Sequence, residues 1–234
     1  MRDFSDIKVI GFDADDTLWV NETYFRNAEV EFAKLLTSYE TLNKIDQELY
    51  KMELKNLPLY GYGIKGFMLS MIEMAIELSD GEVKSTIISE ILNIGKRMLN
   101  KPLELLDGIE NVLKTLYSKN YRLILATKGD LLDQERKLDQ SGLANYFHHI
   151  EVLSDKKEQN YNTLLDHLDI DPNEFLMIGN SLKSDILPLI NIGAKAIHVP
   201  FHTTWAHEKV TISETEGKAY STVSSISEVL KYFN

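Results

Sequence analysis

From about residue 107 to 199 the sequence alternates between apolar residues at helical spacing and short β-branched runs. The pattern predicts a helix at 109–117 before a strand at 121–126, and a helix at 131–140 before a strand at 149–153. A helix at 161–168 precedes a strand at 175–178, and a helix at 184–192, closed by Gly193, precedes a strand at 195–199. Such alternation folds as a parallel sheet covered by helices on both faces. The run at 7–12 has the same strand character, with Gly11 near its end, and belongs with these later strands.

Between that first strand and the rest lies a block of a different kind. Phe25, Ala28, Phe32, Leu35 and Leu36 share one helical face, and Ile64, Phe67, Met71, Ala75 and Ile76 share another. Val83, Ile87, Ile88 and Ile91 mark a further helix, and 42–54 another. Pro58-Leu59-Tyr60-Gly61-Tyr62-Gly63 reads as a breaker-rich turn, and Lys101-Pro102 closes the block. The expected organisation is therefore a core of residues 1–20 and 101–234, interrupted by an all-helical insertion at 21–100.

Charge and composition narrow the function classes. Twenty-five lysines and arginines against 36 aspartates and glutamates leave a formal charge of −11, which argues against a nucleic acid or a membrane as the main partner. The absence of cysteine excludes a disulfide, a thiolate nucleophile and cysteine-bound zinc. No apolar run approaches the roughly 20 residues of a membrane span, and the start of the chain lacks a signal pattern. The expectation is a cytoplasmic protein of unknown oligomeric state.

Chemistry concentrates at the ends of the predicted strands. The first runs into Phe12-Asp13-Ala14-Asp15-Asp16-Thr17, so two carboxylates at alternate positions leave a strand tip where an open parallel sheet presents its ligand crevice. Carboxylates that close repel unless protons or a cation compensate them. The second strand stops at Thr127-Lys128-Gly129, where a hydroxyl and a glycine amide suit phosphate oxygens. Ser154-Asp155-Lys156-Lys157 puts ammonium groups at a helix start, which the helix dipole does not favour and an anionic ligand would explain. Gly179-Asn180-Ser181, followed by Ser184-Asp185, offers the oxygen ligands that magnesium prefers.

These four segments, in this order, resemble the four motifs of the haloacid dehalogenase superfamily of phosphohydrolases, and the helical block sits where members with a C1-type cap carry it. The resemblance implies a Rossmann-like α/β core with a mobile helical lid. It also implies a magnesium-dependent phosphatase acting on a small phosphorylated metabolite through an aspartyl phosphate. Asp13 would be the nucleophile, Asp15 the acid and base, and Thr17 an orienting hydrogen bond. Thr127 and the Gly129 amide would bind the phosphoryl group, with Lys128 beside them as a further substrate-binding residue, and Lys156 would neutralise the charge. Lys156 is preferred to Lys157 because members often carry a tyrosine five residues beyond that lysine, as Tyr161 is here. Magnesium would be held by Asp13, the carbonyl of Asp15, Asn180 and Asp185.

The acid at position 15 favours P–O cleavage, whose leaving oxygen needs a proton, over dehalogenation. A phosphomutase shares that acid and is the closest alternative; a non-catalytic phosphate-binding protein is the other. Asn180 departs from the acid that many members carry there, so Asp185 is the one acidic side chain of that motif. Tyr62, in the glycine-flanked turn, is a candidate for reading the body of the substrate. His198, His202 and His207 lack helical zinc spacing, with Pro200 between them, and read as loop packing.

Overall fold

The computed structural model describes residues 4–233, which divide into two compact units. One comprises the residues up to Glu22, Leu103–Lys128 and those from Glu135 on; the other comprises Thr23–Pro102 with Gly129–Gln134.

The first unit is built on six parallel strands, β1 (Val9–Phe12), β2 (Arg122–Lys128), β3 (His149–Leu153), β4 (Phe175–Gly179), β5 (Lys195–His198) and β6 (Ser221–Thr222). Their order is β3-β2-β1-β4-β5-β6. β1 is central, with Phe12 opposite Leu125 of β2 on one side and Ile178 of β4 on the other. The chain therefore changes direction of winding between β1 and β4, which opens a crevice at their carboxyl ends. Strands β1 and β4 are buried along their whole length, as a sheet covered on both faces requires.

Two apolar layers cover this sheet. Ile10, Phe12, Leu123, Leu125, Leu176 and Ile178 pack with Val112, Leu113 and Leu116 of the helix Ile109–Ser118 on one face. Val9, Ile124, Phe175 and Met177 pack with Tyr161, Leu164 and Leu165 of the helix Glu158–Leu168 on the other. Each fully buried aliphatic or aromatic side chain contributes about 1.5–3 kcal/mol. Gly11 is required by this packing: a Cβ there would sit 2.5 Å from the Phe175 ring.

In the second unit, α1 (Glu22–Leu35), α2 (Leu42–Tyr60), α3 (Ile64–Leu78) and α4 (Ser85–Leu99) enclose their own core of Phe32, Leu36, Ile45, Leu49, Met71 and Ile91. Met71 and Met74 are buried in this core and Met68 packs against it.

Three departures from the sequence expectation have a local reason. Helix α2 runs through Pro58 to Tyr60 instead of breaking there. Proline so close to the end removes one N–H, and Gly61, at φ 70°, then turns the chain while its N–H closes onto Leu57 O at 2.9 Å. Strand β2 continues through Thr127 and Lys128, because they pair with Val152 and Leu153. The helix expected at 184–192 is a π turn, Leu182–Ile186, followed by the short helix Leu187–Asn191. Pro188 has no N–H for the carbonyl of Ser184; the Tyr161 hydroxyl donates to that carbonyl instead, at 3.0 Å. The strand β6 and the 3₁₀ turn Ile226–Tyr232 are additions to that expectation.

Candidate active site

Asp13 follows β1 directly, and its N–H extends the pairing with β4 by donating to Ile178 O at 2.9 Å. The crevice of the sheet thus receives a carboxylate from its central strand. Lys156 Nζ donates to Asp13 Oδ1 at 2.5 Å and to Asp185 Oδ1 at 2.7 Å, and all three side chains are buried. Thr17, fully buried, donates its hydroxyl to Asp13 Oδ2 at 3.0 Å. Four of the anticipated residues therefore form one cluster. By contrast Lys157 is exposed and pairs with Asp155.

The cluster holds two carboxylates against one ammonium. Burial, then Asp185, pushes the Asp13 carboxyl up to about 7 against the pull of Lys156. Burial alone would lower the Lys156 ammonium, but Asp13 and Asp185 outweigh it and hold its pKa well above the usual lysine value. The site is short of positive charge.

Asp185 is locked behind this pair. Its Oδ2 accepts from the N–H of Ser181 at 2.9 Å, and a Cβ on Gly179 would collide with its carboxylate. Glycine at that strand end is what admits the acid.

Asn180 supplies the test of a metal. Its amide reaches within 3.2 Å of both Asp13 Oδ2 and the carbonyl of Asp15. With nitrogen inward it donates to both; with oxygen inward, three oxygens face one another beside the Thr17 hydroxyl, which lies 3.0 Å from Asp13 Oδ2 and 3.4 Å from Asn180 Oδ1. That second arrangement is the donor set a hard divalent cation takes, and it lies beside the charge deficit. The residues fit magnesium. Among the described residues no group of three His, Cys, Asp or Glu side chains is assembled, so the donors are mixed: carboxylate, amide and backbone carbonyl. Asp185 has both oxygens committed elsewhere and stands behind these donors.

Asp15 Oδ1 accepts from Trp19 Nε1 at 2.7 Å and from Lys137 Nζ at 2.9 Å, and Lys137 also donates to Asn21 Oδ1 at 2.9 Å. The loop that carries Asp15 is shaped by Asp16, which takes φ 62° and accepts from the N–H groups of Asn21 and Glu22 at the start of α1. Burial raises the Asp16 carboxyl to about 8.

Thr127, buried, lies two residues beyond the Leu125 that pairs with Phe12, at the same sheet end as Asp13. Lys128 is drawn elsewhere: its Nζ donates to Glu208 Oε1 at 2.7 Å and to Ser184 Oγ at 2.8 Å. Gly129 and Tyr62 belong to the helical unit. His198 Nε2 donates to the Asn180 carbonyl, 3.0 Å away, so it braces that loop. His198, read from the sequence as loop packing, is the last residue of β5; Lys137 and Glu208 escape sequence reasoning, since neither stands in a recognisable pattern, and Glu208 lies in an irregular segment beyond β5.

A family model described as haloacid dehalogenase-like hydrolase matches residues 7–193. N-acylneuraminate-9-phosphatase of Mus musculus is 27% identical over 237 residues, covering 96% of this chain and 93% of the relative. The crystal structure of a haloacid dehalogenase-like family hydrolase from Xanthomonas campestris is 38% identical, with a TM-score of 0.84 over 97% of this chain and 90% of that one. A Bacillus subtilis hydrolase of this type, solved with bound magnesium, shares the fold at 17% identity and a TM-score of 0.63, covering 97% and 99% of the two chains.

Proposed function

The chain belongs to the haloacid dehalogenase-like hydrolases, and we propose that it is a magnesium-dependent phosphatase cleaving a primary phosphate from a sugar-type metabolite. It is a phosphoric monoester hydrolase by the company of its phosphatase relatives. The observation that carries the proposal is the contact of Lys156 with Asp13 at the crevice of the sheet, beside the Asn180 amide, which reaches both Asp13 Oδ2 and the Asp15 carbonyl.

In this reading an oxygen of the Asp13 carboxylate attacks phosphorus and the ester P–O bond breaks. Asp15 gives its proton to the leaving alkoxide. Water then attacks the aspartyl phosphate, Asp15 takes a proton from it, and the bond between phosphorus and the Asp13 oxygen breaks to release phosphate. Splitting the displacement in two lowers each barrier. Lys156 balances the charge on Asp13 and the phosphoryl oxygens, Thr17 fixes the carboxylate plane, and Thr127 binds a phosphoryl oxygen. Asp13, the Asp15 carbonyl and Asn180, with Asp185 behind them, would hold magnesium, which would supply further positive charge beside the phosphoryl group. Trp19 and Lys137 orient Asp15.

The relatives' name directs the choice of substrate. The test is phosphate release from a panel of sugar phosphates that includes an N-acylneuraminate 9-phosphate, with magnesium and with chelator. Magnesium-dependent turnover of a sugar phosphate supports the reading; free phosphate from none of the panel overturns it.

A further inference from the structure

The Lys128 ion pair leads to a residue outside all four motif segments. Glu208 stands in a short 3₁₀ turn, Ala206–Glu208, beyond β5, and its side chain is only 13% exposed. Its Oε1 accepts from Lys128 at the end of β2. Its Oε2 accepts from the hydroxyls of Ser181 at 2.5 Å and Ser184 at 2.6 Å. One carboxylate therefore ties together two strand ends that are far apart in sequence.

The consequence reaches the site in two steps. Ser181 Oγ, held by Glu208, accepts from the N–H of Ser184 at 3.1 Å and so closes the turn. The backbone of the same Ser181 donates to Asp185 Oδ2 and accepts from Asp185 N at 2.8 Å. Asn180, whose amide faces Asp13 and Asp15, immediately precedes Ser181. Fixing this turn fixes both oxygen-bearing side chains of the segment. Such hydrogen bonds, made behind the ligands, set ligand orientation, and their loss commonly weakens metal binding tenfold or more.

We infer that Glu208 is a positioning residue: through Ser181, Ser184 and Lys128 it holds the Asn180–Asp185 turn in the geometry that binds magnesium. This rests on the phosphatase reading above. Both Glu208 carboxylate oxygens are taken by Lys128, Ser181 and Ser184, and its effect is transmitted by the two serine hydroxyls. The ion pair with Lys128 serves the same end, since it keeps that ammonium directed at the Ser184 hydroxyl.

The test is calorimetric titration of magnesium into the full chain for wild type, Glu208→Gln and Ser184→Ala, with melting temperatures measured alongside. Glu208→Gln keeps the shape and removes the charge; Ser184→Ala keeps the charge and removes one hydroxyl through which it acts. The expected result is a dissociation constant about tenfold weaker in both folded variants. A weakening below fivefold in Ser184→Ala overturns the inference, because it leaves only the long-range field of the carboxylate. A weakening below fivefold in folded Glu208→Gln overturns it too. Should Glu208→Gln not fold, Ser184→Ala decides by the same criterion. If wild type itself binds no magnesium, the phosphatase reading fails, a result distinct from equal binding by all three proteins.

Discussion

Lys156 Nζ lies 2.5 Å from Asp13 Oδ1, with the lysine side chain 1% and the aspartate side chain 9% exposed. Between Asp13 and Asp185 that one ammonium is the direct cationic contact of two buried acids. Removing it leaves charge without compensation, which costs about 3–5 kcal/mol for a buried pair. Lys156→Met is expected to lose stability of that order at pH 8, read from the urea midpoint, and to lose at least about a hundredfold in kcat. Retention of wild-type stability would show that the carboxylates are protonated or solvated instead.

The raised pKa of Asp13 has a definite sign in stability. The folded chain holds a proton on Asp13 up to about pH 7, whereas the unfolded chain loses it near 4. Between those values the native state binds more protons, so stability falls as pH rises, and the whole penalty is present above 7. In metal-free protein Asp13→Asn is therefore expected to melt higher than wild type at pH 8. The gap should close as pH falls toward 4. A constant difference across that range would contradict the assignment.

Glu208 carries the opposite sign. Burial alone would raise it, but Lys128 and the serine hydroxyls hold it down at about 2. Its contribution is present above pH 4.5 and lost as pH falls from there through 2. Glu208→Gln should lower stability at pH 7 by on the order of 2–3 kcal/mol, with less difference in stronger acid. Urea melts at pH 7 and pH 3 check this.

Asp16 separates capping from charge. It accepts from two N–H groups at the start of α1, and loss of such a cap costs about 0.5–2 kcal/mol. Asp16→Ala should be destabilised by that amount. Asp16→Asn keeps an accepting oxygen, tolerates the positive φ and removes a carboxyl that burial disfavours, so its melting temperature should equal or exceed that of wild type at pH 8. Equal losses in both variants would refute the argument.

Asn180 offers a change of the other direction. Asn180→Asp adds a charge to a site that lacks positive compensation, so magnesium should bind more tightly and metal-free stability should fall. Asn180→Ala should bind it about tenfold more weakly. Calorimetry and metal-free melts read both; unchanged affinity in the two variants would remove Asn180 from the metal site.

Much of the fold is legible in the sequence because buried parallel strands must be apolar along their length, as at Phe175-Leu176-Met177-Ile178, and helices must be amphipathic, as at Val112, Leu113 and Leu116. The gathering of Asp13, Lys156 and Asp185 follows from the same logic, since each stands just past a strand that shares one sheet end. What is not legible is the support. Lys137 and Glu208 act through contacts between segments 122 and 80 residues distant from their partners Asp15 and Lys128, and no local period records such a pairing. The π turn at Leu182–Ile186 is hidden for a similar reason: the Ser184 carbonyl that Pro188 leaves without an N–H is taken by the hydroxyl of Tyr161, 23 residues away.

The most direct test of the account is to trap the covalent state. The chain is mixed with a turned-over sugar phosphate and magnesium, quenched in acid, reduced with borohydride and digested for mass spectrometry. The account predicts homoserine in place of aspartate at position 13 and at no other aspartate, with no such product from Asp13→Asn. Reduction at a different aspartate, or full turnover by Asp13→Asn, would contradict it.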